Sequence, residues 1–160
     1  MPHPVLYPGN VNDLIKKWDE QRAKDWAEDP NKVTFIADGQ CARLPQALTS
    51  VGHTSRWQRG DRVIDVARTL KSGTVIANFK LVDGKWKYPN EHGYHAAIFV
   101  RGEGFSVVTG KPSQIIMFDQ WHGATPRQSH APGARPVRAR SGSLYSPCDN
   151  ANEFFVVVVP

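Results

Sequence analysis

Cys41 and His95 are the residues of this chain best suited to covalent chemistry. Cys41 lies in the segment DGQCARLPQAL, where a turn that contains glycine is predicted to open a helix. His95 lies in GYHAAIFV and heads an apolar run that is typical of a β-strand. A thiol attacks a carbonyl only as its thiolate, and both a helix N-terminus and an imidazolium favour that anion. The two residues therefore predict a nucleophile paired with its general base.

A third polar group usually orients the imidazole of such a pair. The segment QIIMFDQWHG offers Asp119. If strands over residues 95–100 and 114–119 pair antiparallel, the end of the second strand lies beside the start of the first, and Asp119 neighbours His95. Gln120 is the alternative, although successive strand residues point to opposite faces.

The oxyanion of an acyl transfer needs hydrogen-bond donors aimed at it. We expect the backbone N–H of Cys41 to be the first donor, and Gln40 to assist through its backbone or side chain. The second donor is not identified from the sequence. Trp121, which follows close after Asp119, is predicted to contact substrate. Four other aromatic residues near these segments are predicted to serve as core or rim packing: Trp57, Trp86, Tyr88 and Tyr94.

Helices are predicted in the first part of the chain. Apolar spacing indicates an amphipathic helix over residues 11–28, with Asn12 as its N-cap and Pro30 beyond its end. A second helix is predicted over about residues 40–48, with Cys41 at its start. A short third helix is predicted within residues 61–70.

Strands are predicted in the remainder of the chain. The Asp83-Gly84 pair indicates a hairpin between two alternating segments. The other strands are predicted over residues 74–79, 94–100, 105–108, 115–119 and 154–159. Residues 125–147 are rich in Pro, Gly, Ser and Arg, which predicts a long surface loop whose arginines form a solvated basic face. Helices followed by strands predict an α+β fold with a small, mostly antiparallel sheet.

The length of 160 residues fits a single domain over residues 1–160, with a helical segment over 1–30 and a core over 31–160, and the Cys41–His95 pair predicts that this domain is catalytic. A net charge of +5 favours an acidic partner, such as nucleic acid, an anionic surface or a polyanionic wall polymer. No apolar run is long enough to cross a bilayer, so we expect no membrane partner. The start MPHPVLYPGN lacks the pattern of a signal peptide, which predicts a cytosolic protein or one exported by another machine.

An ordered set of segments extends from about Thr34 to the C-terminus. The segments are GQCARLPQ, TSRWQRGDRV, SGTVIANF, YPNEHGYHAAIFV, DQWHG and SPCDNANEFFVV. Together they resemble a bacterial family of NlpC/P60-like cysteine amidases, whose members include type VI secretion amidase effectors. The resemblance implies a papain-like fold with Cys41 as nucleophile, His95 as base and Asp119 as third residue. Pro45 within the nucleophile helix is a departure from the family pattern.

The resemblance also implies a substrate and partners. It implies hydrolysis of an amide bond in the peptide stems of peptidoglycan, without a cofactor. It further implies synthesis in the cytoplasm, delivery by the type VI secretion machinery into the periplasm of a rival bacterium, and a cognate immunity protein that blocks the active site. On this view nucleic acid is not a partner.

Other chemistries have weaker support in the sequence. His92, His95, Asp119 and His122 could supply zinc ligands, but the chain lacks HExxH and paired cysteine motifs, so we expect no metal. Three glutamates are available for glycosidase chemistry, yet none lies in the apolar surroundings that a general acid needs: Glu91, Glu103 and Glu153. A non-catalytic basic module that binds cell wall or nucleic acid, and a housekeeping wall hydrolase with the same dyad, are the alternatives.

Overall fold

An antiparallel sheet of seven strands forms the framework of the fold in the computed structural model, which describes residues 1–142 and 144–160. The strands over these residues are β1 (His3–Pro4), β2 (Gln58–Arg62), β3 (Val75–Ala77), β4 (Lys80–Val82), β5 (Lys85–Lys87), β6 (Ala96–Glu103), β7 (Gln114–Trp121), β8 (His130–Arg138) and β9 (Phe155–Val159). The helices are α1 (Val11–Glu28), α2 (Arg43–Leu48) and α3 (Val63–Val66). The predicted α+β class with a mostly antiparallel sheet is confirmed.

The order of strands in the sheet is β1-β9-β3-β6-β7-β8, and β2 also pairs with β9. The central hairpin pairs Ile98 of β6 with Phe118 of β7, as the antiparallel prediction for these segments required. Strands β4 and β5 form a separate hairpin, in which Asp83 and Gly84 both have positive φ, 50° and 76°. A type I′ turn needs positive φ at both of its central residues, which is why Asp-Gly predicted this hairpin.

Helix α1 has the predicted bounds but a different cap. Asn10, not Asn12, is the N-cap, because its extended backbone precedes the first helical residue and its side chain accepts from the N–H of Asp13 at 3.0 Å. Leu14 is buried in the core, whereas Trp26 is 66 % exposed and lies off the packed face. No helix over the part of the chain that the structure describes is long and apolar enough to span a membrane.

Both faces of the central strands are buried. Ile98 and Phe118 pack with residues of α1 and α2, while Phe99 and Met117 pack with residues of α3 on the other face. A strand that is buried on both faces has a continuous apolar sequence rather than an alternating one. The polar residues that end these runs must therefore be satisfied inside the protein.

Two parts of the predicted strand pattern were wrong. Residues 125–147 contain the nine-residue strand β8, which pairs with β7. Its prolines, Pro132 and Pro136, hid it from sequence analysis, but β8 is an edge strand, where proline is tolerated because an N–H that faces away from the sheet makes no ladder hydrogen bond. Residues 105–108 lie in the connection between β6 and β7, and Val107 is fully exposed. Ser143 of the predicted loop lies outside the described residues.

Asn78 ties three segments together directly after β3. Its Oδ1 accepts from the backbone N–H of His95 at 2.9 Å. Its Nδ2 donates to the carbonyls of Pro147 and Glu153 at 3.1 and 2.8 Å. The side chain is fully buried, so water has no access that could replace these bonds. Asn78 therefore fixes the backbone at the start of the His95 segment.

Replacing Asn78 with Ala should lower the free energy of unfolding by about 2 kcal/mol or more, because the change leaves buried backbone groups without partners. Urea denaturation monitored by tryptophan fluorescence measures this loss. The control is Asn31→Ala, an exposed asparagine, which should change stability by less than about 0.5 kcal/mol. Equal effects of the two substitutions would contradict the role given to Asn78.

Candidate active site

Cys41 lies in a turn that leads into α2, two residues before the helix begins. The predicted helix over residues 40–48 is therefore shorter than expected. Pro45 has no N–H that could donate to the carbonyl of Cys41. The backbone N–H of Leu44 donates to that carbonyl instead, at 3.3 Å. The first turn is consequently tightened and regular helix starts only at Arg43. A helix of six residues contributes little field at the sulfur, so the groups in direct contact with Cys41 must supply most of the stabilisation.

The loop before Cys41 is held by the buried side chain of Gln120. Its Oε1 accepts from the N–H of Ile36 at 2.8 Å, and its Nε2 donates to the carbonyls of Ile36 at 2.8 Å and Gln40 at 3.1 Å. Gln120 thus faces away from the imidazole and fixes the course of the nucleophile loop.

Gly39 lets this loop close against its surroundings. Its φ is +90°, and a Cβ there would come within 2.9 Å of the Phe35 ring and 3.0 Å of His122. The DGQC segment therefore needs a glycine two residues before Cys41, both for its backbone conformation and for space.

His95 meets Asp119 where β6 starts and β7 ends. The ring Nε2 lies 2.6 Å from Oδ2 of Asp119, and the carboxylate is fully buried. With Nε2 occupied in this way, Nδ1 is the nitrogen left to serve Cys41, which lines the same cleft as His95. Of the two residues that could orient the imidazole, it is Asp119, not Gln120, that contacts it.

Asp119 has two further neighbours on β8, Arg135 and His130. Arg135 Nε donates to Oδ2 at 2.8 Å. His130 Nε2 lies 3.0 Å from Oδ1, although the two atoms lack hydrogen-bond alignment. Burial raises the pKa of the Asp119 carboxyl, but the contacts with His130, His95 and Arg135 outweigh burial and hold that pKa well below its usual range. Asp119 is therefore ionised at any physiological pH.

The same arrangement favours an ion pair between Cys41 and His95. Burial raises the pKa of the Cys41 thiol, but hydrogen bonds from His95, Tyr88 and the Ala96 backbone, with the His95 charge, lower it to about 7. Burial lowers the pKa of His95, but Asp119 and then Cys41 outweigh it and raise the pKa to about 9. Between these values the pair is a thiolate and an imidazolium, the form that acts as nucleophile and acid.

A cleft of about 1100 Å³ opens onto Cys41 and His95. Gln40 and Trp121 line it, as does Cys148, whose thiol pKa is raised by burial and by Asp149. Trp121 is 37 % exposed, and its indole is fixed because Nε1 donates to the carbonyl of Gln128 at 2.8 Å. The cleft is large enough for a peptide segment.

Gln40 has less freedom to donate than the sequence suggested. Its backbone N–H donates to Oδ1 of Asp38 at 3.0 Å, and its carbonyl accepts from Gln120. Because that N–H is already engaged, the assistance expected from Gln40 stays a prediction that its side chain fits better than its backbone. Its side chain is exposed on the cleft wall and is the part of Gln40 that can reach substrate.

Sequence reasoning missed three residues of this site. Tyr88 was assigned to packing, but its hydroxyl lies 3.3 Å from the Cys41 sulfur. Arg135 was assigned to a solvated loop, but it bonds to the buried Asp119. His130 was not singled out at all. No local motif marks these residues, because β8 joins the site through its pairing with β7, and the segment after the separate β4–β5 hairpin meets it only in the folded chain.

Residues 1–142 and 144–160 contain no group of three or more His, Cys, Asp or Glu side chains placed to hold a metal ion. His95 and Asp119, two of the four residues considered as zinc ligands, bond to each other. Their geometry is that of a base and its orienting carboxylate.

Residues 21–157 match the family described as domesticated amidase effector 2. The chain belongs to this family. Among solved structures, a type 6 secretion amidase effector 2 (Tae2) matches this chain with a TM-score of 0.58 and 29 % identity, over 84 % of this chain and 92 % of that chain. A comparison with curated proteins found no match. The resemblance to amidase effectors that the sequence segments suggested is thus confirmed.

The role of Gln120 predicts a loss of both stability and activity on replacement with Leu. Leu fills a similar volume but leaves the polar groups of Ile36 and Gln40 without partners, at a cost of about 1–3 kcal/mol. The Cys41 loop should also loosen, so alkylation of Cys41 by iodoacetamide should lose its wild-type pH profile. Gln114→Leu, at the other end of β7, is the matched control and should keep that profile. A wild-type profile in Gln120→Leu would contradict the assigned role.

The ion pair predicts that the rate of Cys41 alkylation reaches half its plateau at a lower pH than for an ordinary thiol. In a Cys148→Ala background, the iodoacetamide rate should rise with pH and reach half its plateau near pH 7, because the thiolate forms there. His95→Gln removes the adjacent positive charge and should move the midpoint upward by about 1–3 pH units. Mass spectrometry of the labelled peptide measures the rates. A wild-type midpoint at the ordinary thiol value of about 8.5 would refute the ion pair.

Proposed function

We propose that this chain is a cysteine amidase that hydrolyses an amide bond in the peptide stems or cross-links of bacterial peptidoglycan. The observation that carries the proposal is that Asp119 bonds to His95, and that His95 and Cys41 line the same peptide-sized cleft. Membership of an amidase effector family supplies the reaction class. On this proposal residues 1–160 act as one catalytic domain.

The reaction begins with the Cys41 thiolate. Its sulfur attacks the scissile carbonyl carbon, a C–S bond forms, and the negative charge moves to the carbonyl oxygen. The His95 imidazolium then donates its proton to the leaving nitrogen, the C–N bond breaks, and a thioester with a free amine results. His95 next takes a proton from water, the hydroxide attacks the thioester, and the C–S bond breaks. The products are a carboxylic acid and the restored thiolate–imidazolium pair.

Asp119 acts through His95 and does not touch the substrate. Its carboxylate fixes the ring so that Nδ1 faces the sulfur, and its charge stabilises the imidazolium. Arg135 and His130 keep the carboxylate in place and ionised. These three residues therefore position the base.

The cleft and the charge of the protein suit a peptide attached to an anionic polymer. The net charge of +5 favours approach to the wall, whose peptides carry carboxylates. Trp121 supplies a fixed aromatic surface beside the reacting pair, with its ring centroid 6.1 Å from that of His95. The Gln40 side chain lies on the cleft wall near Cys41. We assign substrate contact to Trp121 and Gln40.

The biological setting that we propose is that of the secretion effector to which the chain is similar. A type VI secretion effector is made in the producing cell, passes through the secretion machinery and acts on the wall in the periplasm of the target. The producer then needs protection, and an immunity protein that covers the cleft would give it, because the cleft is the route to Cys41. Peptidoglycan, this inhibitor and the secretion machinery are the partners we propose.

Digestion of purified sacculi tests the proposed function. Wild-type protein should release muropeptides whose masses, measured by mass spectrometry, identify the bond that is cut. Cys41→Ala and His95→Ala should each reduce release by at least about 10³-fold, and the double variant should be no worse, because the two groups act as a unit. Asp119→Asn should retain more activity than either, because Asp119 only positions the ring.

The control for this experiment is His3→Ala, which changes an exposed histidine in β1 and should leave release unchanged. Circular dichroism should show that all variants are folded. Release by Cys41→Ala at the wild-type rate would refute the thiol mechanism. Salt-sensitive binding to sacculi without any release would favour the non-catalytic wall-binding module instead.

A further inference from the structure

We propose that the hydroxyl of Tyr88 donates a hydrogen bond to the oxyanion that forms when Cys41 attacks, and that Tyr88 is therefore a catalytic residue. The inference rests on the proposed amidase function, because it concerns a step of that reaction. It supplies the second oxyanion donor that the sequence did not identify.

Tyr88 is placed at the reacting atom itself. Its Oη lies 3.3 Å from the Cys41 sulfur, and its side chain lines the cleft although the residue is only 8 % exposed. The residue follows β5, so it reaches the site from a part of the chain that carries neither the nucleophile nor the base. Among the residues that the structure describes, the Cys41 sulfur is the hydrogen-bond partner of the Tyr88 hydroxyl.

The ring of Tyr88 is rigidly supported. It packs against Trp57 with centroids 4.9 Å apart and planes at 52°. Trp57 is itself buried, and its Nε1 donates to the carbonyl of Gly52 at 3.1 Å. The aromatic ring cannot move far, whereas the hydroxyl hydrogen can turn by rotation about the Cζ–Oη bond. A donor fixed in position but able to turn its hydrogen is preorganised for a charge that moves during the reaction.

The hydroxyl is a donor throughout the working pH range. Burial raises the pKa of Tyr88 far above its usual value, and the adjacent Cys41 thiolate raises it further. The phenol therefore keeps its proton wherever the thiolate exists. Tyr88 can donate a hydrogen bond but cannot act as a base.

The charge transfer of the reaction redirects this hydrogen bond. Before attack, the negative charge is on sulfur and the hydroxyl donates to it. When the C–S bond forms, sulfur becomes a neutral thioether, which is a weak acceptor. The charge then resides on an oxygen two bonds from that sulfur, and the O–H group can turn toward it. Gln40 is a poorer source of this bond, because its backbone N–H is already engaged with Asp38.

Stabilising the thiolate alone would be a different role for Tyr88, and the two roles differ in their kinetics. A group that only stabilises the thiolate affects every reaction of Cys41 through its pKa. A group that stabilises the oxyanion affects acyl transfer, but does not affect alkylation by iodoacetamide, in which no oxyanion forms. Comparing the two reactions therefore isolates the oxyanion role.

Tyr88→Phe tests the proposal, because it removes the hydroxyl and keeps the ring that packs on Trp57. At pH 8, hydrolysis of a stem peptide should fall about 10²-fold, the size of effect typical for loss of one oxyanion donor. The plateau rate of Cys41 alkylation should change by less than about 3-fold. Affinity for a peptide aldehyde should fall along with the rate of hydrolysis, because the adduct of the aldehyde with Cys41 places an oxygen where the oxyanion forms. Tyr7→Phe removes a hydroxyl elsewhere and should leave all three measurements unchanged.

The outcomes are distinct. Hydrolysis within about 3-fold of wild type would overturn the proposal, and so would equal losses in hydrolysis and in alkylation. A wild-type protein that is alkylated rapidly at pH 8 but cleaves no stem peptide contradicts the proposed function itself, and the role of Tyr88 fails with it. Loss of peptide hydrolysis and of aldehyde affinity, with alkylation preserved, would establish the oxyanion role.

Discussion

The site depends on one buried ionic hydrogen bond, that between Asp119 and His95. A fully buried carboxylate is costly unless cationic or hydrogen-bonding groups surround it, and here Arg135 and His95 do so, with His130 also in contact. The charge of Asp119 keeps a proton on His95, and the charge of His95 in turn keeps one off Cys41. Removal of the carboxylate would therefore affect the nucleophile without touching it.

Direct contacts dominate the ionisation of Cys41. A helix terminus contributes about 0.3–1 kcal/mol, and α2 is both short and displaced from the sulfur by two residues. A hydrogen bond to a charged group contributes about 1.5–3 kcal/mol, and His95, Tyr88 and the Ala96 backbone all contact the thiolate. The tertiary environment thus replaces the helix in stabilising this anion.

Two buried amides hold the halves of the site in register. Gln120 fixes the loop of Cys41, while Asn78 fixes the backbone of His95. Gln120 lies in β7 and Asn78 directly follows β3, so the placement of the sulfur relative to the imidazole depends on the register of the sheet. A site built in this way can keep hydrogen-bonding distance without any covalent link between its segments.

The amino-acid sequence by itself determined the local features: the bounds of α1, the Asp83-Gly84 turn, the apolar strands, and the polar residues that end them. From these, the pairing of β6 with β7 and the proximity of His95 to Asp119 could be predicted, because antiparallel neighbours bring one strand's end to the other's start. Only the tertiary structure decided that Tyr88, His130 and Arg135 converge on the same site. The local sequence pattern determines each helix or strand, but the order of strands in the sheet decides which distant side chains meet. The prolines of β8 concealed that strand until its position at the edge of the sheet was known.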